Sequence, residues 1–505
     1  MFGGFGVSYS KEPQSEYHLR YALVSITNKA TRCQMKSLSL FLNSVCFLIG
    51  FACSAHCDSL DQFIAGTIKE RQIPGLSIAV IRDGVVIKEA GYGIANLEHQ
   101  VPATRETVYE IGSISKQFAA EAAMLLVEDG KIELDDSIRK HLPLNAPVSW
   151  QPITIRNLLN HTSGLMDWTE IKEFSYRREY TASEFVDLIK SFPLQFEPKE
   201  RWLYSNSNLP LLGIIVEYAG GKPYEEFVNE RIFKPLRLPS IRFKHQDEIV
   251  EHRASGYVLR DNVLTNGEPF RPKIIAASGG VLANATDLAR WWEAILRGKT
   301  LLQPSSVEQM LMPAKLNDGS TVNHGFAFFT DSFNGHKMIF HHGSTVGGFG
   351  SVVRYFPNEK LTVAVMVNLE DGGFGPETVS KRVANDYIPG CFVGGLNEAE
   401  EFYPNQTKES LQLLRELAEG RNSNRLASAY ASKIDAKFRK GISVNLSQLS
   451  SFKFLGREAV VADHFLLDPK ITEIQHFKLE MERRNVYYHF RCNAAGEIAM
   501  ILSED

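Results

Sequence analysis

The first segment with a legible period runs from Pro74 to Asn96, PGLSIAVIRDGVVIKEAGYGIAN. Two runs rich in β-branched residues meet at Asp83-Gly84, a pair suited to the positive φ angles of a two-residue hairpin turn. Residues 113–130 (SISKQFAAEAAMLLVEDG) follow a helical spacing, rich in Ala and Leu and stopped by Gly130. From about 150 to 330, helical segments such as NLPLLGIIVEYAGG and ATDLARWWEAILRG alternate with loops punctuated by Pro and Gly. Strand patterns return in HKMIFHH, GGFGSVVRYFP and LTVAVMVNLE, with Asn358-Glu359-Lys360 joining the last two. Strands at both ends with helices between them predict an α/β or α+β domain over about 58–390. Its terminal hairpin is expected to return to the first strands.

Past Gly394-Gly395 the pattern changes. Residues 410–432 (SLQLLRELAEGRNSNRLASAYAS) predict an amphipathic helix, and REAVVADHFLL, TEIQHFKLEMER, NVYYHFRC and EIAMILS predict short strands. The expectation is a small accessory α+β domain over 396–505, after a main domain over 56–395. Its helix-then-strands order loosely resembles a cystatin- or NTF2-like fold.

The apolar stretch SLSLFLNSVCFLIGFACSA (37–55) has another layout. Lys29, Arg32 and Lys36 precede it and small residues around Ala55 close it, as in a secretory signal peptide. An uncleaved membrane anchor is the alternative, although the unbroken apolar part is shorter than the roughly 20 residues of a span. Met35 is a candidate start, so residues 1–55 read as extension and signal. A secreted, periplasmic protein follows, with no membrane span in the mature chain. Cys33, Cys46 and Cys53 fall in this region, and Cys57 and Cys391 are candidates to pair in an oxidising compartment.

Composition narrows the class. The 505 residues are 44% hydrophobic and 23% charged, with 55 Lys+Arg against 59 Asp+Glu. This excludes a disordered chain or a coiled coil and leaves no basic surplus for nucleic acid. The sequence lacks G-x-S-x-G, G-x-G-x-x-G, a P-loop and H-E-x-x-H. Its 14 histidines are scattered, and the adjacent His341 and His342 would point to opposite faces of a strand. No metal site and no organic cofactor are expected.

Three short motifs carry candidate chemistry. Ser113-Ile114-Ser115-Lys116 puts a hydroxyl and an amine one turn apart on a helical face. A serine needs a nearby base to become a nucleophile, and a desolvated lysine can be that base. Backbone N–H groups at the helix N-terminus would face a developing oxyanion. Tyr204-Ser205-Asn206 offers a phenol for proton transfer and an amide that could bond the lysine and a substrate. His341-His342-Gly343 ends a strand whose edge could bind a peptide-like substrate, with His341 adding a donor. Each is weak alone: S-x-x-K recurs at Ser8–Lys11, Ser137–Lys140 and Ser450–Lys453, and Y-x-N at Tyr403–Asn405.

In this order, the three motifs resemble those of the serine β-lactamase and penicillin-binding-protein superfamily, in its class C β-lactamase and D-alanyl-D-alanine carboxypeptidase/esterase branch. The likeness extends through YEIGSISKQFAA, DGKIELDDSIRKHLP, LLNHTSGL, YSNSNLPLLG, ASGGVLANATDLARW and HHGSTVGGFGS, covering nearly all of 58–390. It implies a β-lactamase/transpeptidase-like antiparallel sheet flanked by a helical region. By position it makes Ser113 the acylated nucleophile, Lys116 its proton acceptor, Tyr204 the base and acid, and Asn206 their hydrogen-bonding companion. Backbone N–H groups of Ser113 and Ser344 would form the oxyanion hole, with His342 and Gly343 binding substrate.

His341 stands where β-lactamases carry a lysine. A histidine is charged only below about pH 6.5, which favours esters or D-amino-acid peptides over β-lactams. His161 and Ser163 read as loop packing. The expected activity is serine hydrolysis of a small-molecule or peptide substrate, with peptides of the cell wall among the candidates. The alternative is a catalytically idle binding or regulatory module, but every candidate position carries a competent residue.

Overall fold

A computed structural model describes residues 59–142, 146–268, 273–298, 301–370, 374–392, 404–432, 434–459, 471–481, 485–493 and 497–504. The signal stretch, Met35 and Cys57 lie outside the described residues, and Cys391 is a buried free thiol. Among the described residues no helix is long and apolar enough to cross a membrane.

Strands β1 (Gly75–Arg82) and β2 (Val85–Asn96) form the expected hairpin, with Asp83 and Gly84 at φ 52° and 82° in its turn. Helix α1 (Ser115–Glu128) is buried along most of its length and ends before Gly130, which takes φ +68°. Helix α2 (Asn208–Gly220) packs against α1, and the side chain of Asn284 caps α3 (Ala285–Leu296). Then come β3 (Phe329–Phe333), β4 (His336–Thr345), β5 (Phe349–Phe356), β6 (Leu361–Val367) and α4 (Phe374–Tyr387).

The main sheet runs β3-β4-β5-β6-β1-β2 and ends on a short strand, Val101–Pro102. All its pairings are antiparallel. The terminal hairpin does return to the start: Leu76 faces Val367, Ile78 faces Val365 and Val80 faces Val363. Helix α3 packs on β1 and β6, and α4 packs on β5 and β6. Covered strands have no polar face to present, so β1, β5 and β6 are buried almost throughout. The fold is the expected one, an antiparallel sheet with a helical region beside it.

The tail has a hydrophobic core of its own, including Leu413, Leu414, Leu417, Phe477, Leu479 and Phe490. Helices α5 (Pro404–Ala418) and α6 (Ala436–Ser447) precede a four-stranded antiparallel sheet. Its strands are β7 (Leu449–Ala459), β8 (Ile471–Met481), β9 (Asn485–Asn493) and β10 (Ile498–Glu504). The predicted helix over 410–432 is corrected here. It stops at Ala418, because Gly420 adopts φ +83° and turns the chain out of the helix. Helix α6, whose apolar spacing is weak, was not anticipated.

Candidate active site

The site is built where the end of β4 crosses the turn before α1. Ser113 lies in that turn, Gly112–Ile114, with Gly112 at φ +53°. A Cβ on Gly112 would lie 2.7 Å from the Ser344 nitrogen, and one on Gly343 only 2.0 Å from the Ile111 carbonyl oxygen. Both glycines are therefore needed for the two backbones to touch, and their contact brings the Ser344 nitrogen beside Gly112, the residue before Ser113. Gly343→Ala is expected to destabilise the protein by about 3 kcal/mol or more. Gly441→Ala, in a helix with open space around it, should be neutral or slightly stabilising. Denaturant unfolding of both variants checks this, and equal stabilities would refute the crossing.

Lys116, fully buried in α1, is the hub. Its Nζ lies 2.9 Å from Ser113 Oγ, 2.9 Å from Asn206 Oδ1 and 3.0 Å from the Ser278 carbonyl oxygen. Burial lowers its pKa from 10.5 to about 7, partly opposed by the Asp167 carboxylate. A neutral amine that donates to Asn206 and Ser278 keeps its lone pair for the Ser113 hydroxyl. Such an arrangement can take a proton from serine.

Tyr204 completes the group: its ring lies 5.1 Å from Lys116 Nζ, and the Ser113 side chain is close enough to oppose in part the effect of burial on its phenol. Burial raises the phenol pKa well above 10, so the tyrosine stays protonated and the lysine is the readier base. The His161 ring stacks on Tyr204 at 4.2 Å. His161 itself holds φ +58°, and its Nδ1 accepts from the Ser205 N–H and faces the Asn208 amide. Leu203 N–H donates to the His161 carbonyl and Ser163 Oγ donates to Asn208. The 158–165 loop thus clamps the segment that delivers Tyr204.

The third motif divides. His341 is buried, donates from Nδ1 to its neighbour's carbonyl at 2.6 Å, and lies 6.4 Å from the Tyr204 ring and 5.1 Å from Phe329. Burial pushes its pKa well below 6.5. It forms a layer behind Tyr204 with His161 and His324. His342 points to the opposite face, towards Glu377 of α4 at 3.3 Å, and is not brought to Ser113. Of the repeated motifs, Ser137 caps a short helix while Lys140 pairs with Asp136.

Motif searching missed Asp167, the Ser278 carbonyl and His324. Asp167 follows HTSGL by two residues and accepts from both the backbone and side-chain nitrogens of Asn206, each at 2.9 Å. Among the described residues, no group of three or more His, Cys, Asp or Glu side chains is placed to hold a metal ion.

The family model described as Beta-lactamase matches residues 60–385, well over half of the chain. The chain belongs to the Beta-lactamase family. It is 26% identical over 319 residues to protein flp of Staphylococcus aureus (strain MW2), covering 61% of this chain and 62% of that protein. It is 27% identical over 327 residues to a penicillin-binding protein of Bacillus subtilis (strain 168), covering 61% and 72%.

Among solved structures, the family likeness extends to a D-amino acid amidase from Ochrobactrum anthropi SV3. That match has 25% identity and a TM-score of 0.56, covering 65% of this chain and 98% of the other. An octameric penicillin-binding protein homologue from Pyrococcus abyssi shares the fold at 23% identity and TM-score 0.57, over 89% of this chain and all of its own.

Proposed function

We propose that this member of the Beta-lactamase family is a secreted serine hydrolase that works through an acyl-enzyme. The observation that carries the reading is a buried lysine with its pKa near 7, in hydrogen-bond contact with Ser113 Oγ. In acylation, Lys116 Nζ takes the hydroxyl proton as Ser113 Oγ bonds to the substrate carbonyl carbon. The backbone N–H groups of Ser113 and Ser344 receive the oxyanion. Tyr204 gives its proton to the departing amine or alcohol and regains one from Lys116. Water then attacks the ester carbon, losing its proton to the same Lys116–Tyr204 pair, which passes it to Ser113 Oγ as the Oγ–acyl bond breaks.

D-amino-acid amides, small esters and D-peptides are the substrates this site favours. The uncharged His341 supplies no cation for a β-lactam carboxylate, and a D-amino acid amidase is among the similar structures. Residues 396–505 are read as an accessory domain of this hydrolase. The test is hydrolysis of D-phenylalanine amide, with intact-mass detection of a penicillin adduct, beside Ser113→Ala. Turnover or an adduct that depends on Ser113 supports the reading. If the folded parent protein gives neither with amide, ester or penicillin, the reading fails.

A further inference from the structure

Asp167 sits behind the lysine, one residue removed from it. Its Oδ1 accepts from the backbone N–H and hydroxyl of Thr169, at 2.9 and 2.8 Å. Its Oδ2 accepts from the backbone N–H and Nδ2 of Asn206. Trp168 continues the grip, with its indole N–H on the Asn206 carbonyl and its backbone N–H on Ser207 Oγ, both at 2.9 Å.

An asparagine amide has nearly equivalent oxygen and nitrogen ends, and only its surroundings decide which faces where. A carboxylate accepts and never donates, so Asp167 holds Nδ2 and turns Oδ1 towards Lys116. We propose that Asp167 is a positioning residue: it locks Asn206 with its oxygen on Lys116, and its charge sets the pH at which that lysine can accept a proton. The role rests on the hydrolase reading of Ser113 and Lys116.

Other groups around Lys116 do not duplicate this. Ser113, Asn206 and the Ser278 carbonyl are neutral, and Tyr204 stays protonated. His161, His324 and His341 are all held uncharged by burial. Among the described residues, Asp167 is the carboxylate that favours the ammonium form of Lys116. Removing its charge should make Lys116 easier to deprotonate.

The experiment compares the full chain with Asp167→Asn and Asp167→Leu, titrating Lys116 by 13C-lysine NMR and recording kcat/KM against pH. Asp167→Asn keeps an acceptor for Asn206 while losing the charge. Its Lys116 midpoint and the acid limb of kcat/KM should both fall by about half a pH unit or more, with the plateau within about tenfold of the parent. Asp167→Leu should show the same downward shift and lose at least about tenfold of plateau activity, because Asn206 is released. A residue that only supports the fold would lower Tm and plateau together and leave the midpoint in place. An unchanged Lys116 midpoint in folded Asp167→Asn overturns the proposal. The NMR titration needs no turnover, so a parent protein without Ser113-dependent hydrolysis is a separate failure, that of the hydrolase reading.

Discussion

Lys116→Met is expected to abolish Ser113-dependent hydrolysis and, at the same time, to make the protein more stable. Loss of the proton acceptor should reduce kcat/KM by about a thousandfold or more, by analogy with removal of a nucleophile's general base. Lys116→Arg should be equally inactive, since a guanidinium does not give up its proton at any working pH.

The stability gain follows from the lysine's own titration. An unfolded lysine titrates near 10.5 and this one near 7, so at neutral pH folding withdraws the side chain from its preferred charged state. At about 1.4 kcal/mol per pH unit, the difference represents a cost of roughly 4–5 kcal/mol. Methionine fills a similar volume without that cost but leaves Asn206 Oδ1 and the Ser278 carbonyl without a donor, which returns part of the gain. A net increase of about 1–3 kcal/mol is the expected result, measured by denaturant unfolding at pH 7. In the parent protein, kcat/KM should rise with pH and level off above about 7, where Lys116 is neutral. A Lys116→Met protein that is less stable than the parent would remove the argument that this amine is held uncharged.

Where local chemistry decides the conformation, the sequence was readable. Asp83-Gly84 marks its hairpin because few other pairs tolerate two successive positive φ angles, and Gly130 stops α1 for a related reason. Ser113 and Lys116 were legible because three residues make one helical turn, although the same spacing at Ser137–Lys140 shows that spacing alone does not select a site. What singles out Ser113 is the crossing at Gly112 and Gly343, a contact between segments 231 residues apart that no local pattern encodes.

Asp167 was hidden for the same reason, since its partner Asn206 is 39 residues away. His341 shows a different limit. Its strand position was evident, but whether a strand end exposes or buries its side chain depends on what packs there, here Phe329 and Tyr204. The tail helix was overextended because an apolar period past Ala418 outweighed the glycine at 420 that ends it.

The layer behind Tyr204 leads to the second large effect, a steep loss of stability in mild acid. His161, His324 and His341 are each at most 2% exposed. Burial lowers the pKa of His324 to about 3 and holds the other two well below 6.5. In the unfolded chain all three titrate near 6.5. Below that pH the unfolded state binds protons that the native state refuses, so acid favours unfolding, and the stability present above pH 6.5 drains away as pH falls. His324, held to about 3, contributes about 1.4 kcal/mol per pH unit below about pH 6, and His161 and His341 add in the same direction. Against a typical total of about 5–15 kcal/mol, that is a large share of the stability by about pH 4.5.

Unfolded carboxylates begin to bind protons below about pH 5, so the imidazole slope is read between about pH 6.5 and 5, where His342, held to about 4 by burial, adds to it. His324→Phe, which keeps an aromatic ring against Phe329, should remove about 1.4 kcal/mol per pH unit of the slope while leaving stability at pH 8 nearly unchanged. Denaturant unfolding at half-unit intervals from pH 8 to 4.5 measures both. A parent slope under about 1.4 kcal/mol per unit would mean that the layer accepts protons while folded. The same data separate two causes of acid inactivation: protonation of Lys116 lowers activity reversibly near pH 7, whereas collapse of the histidine layer takes the fold with it at lower pH.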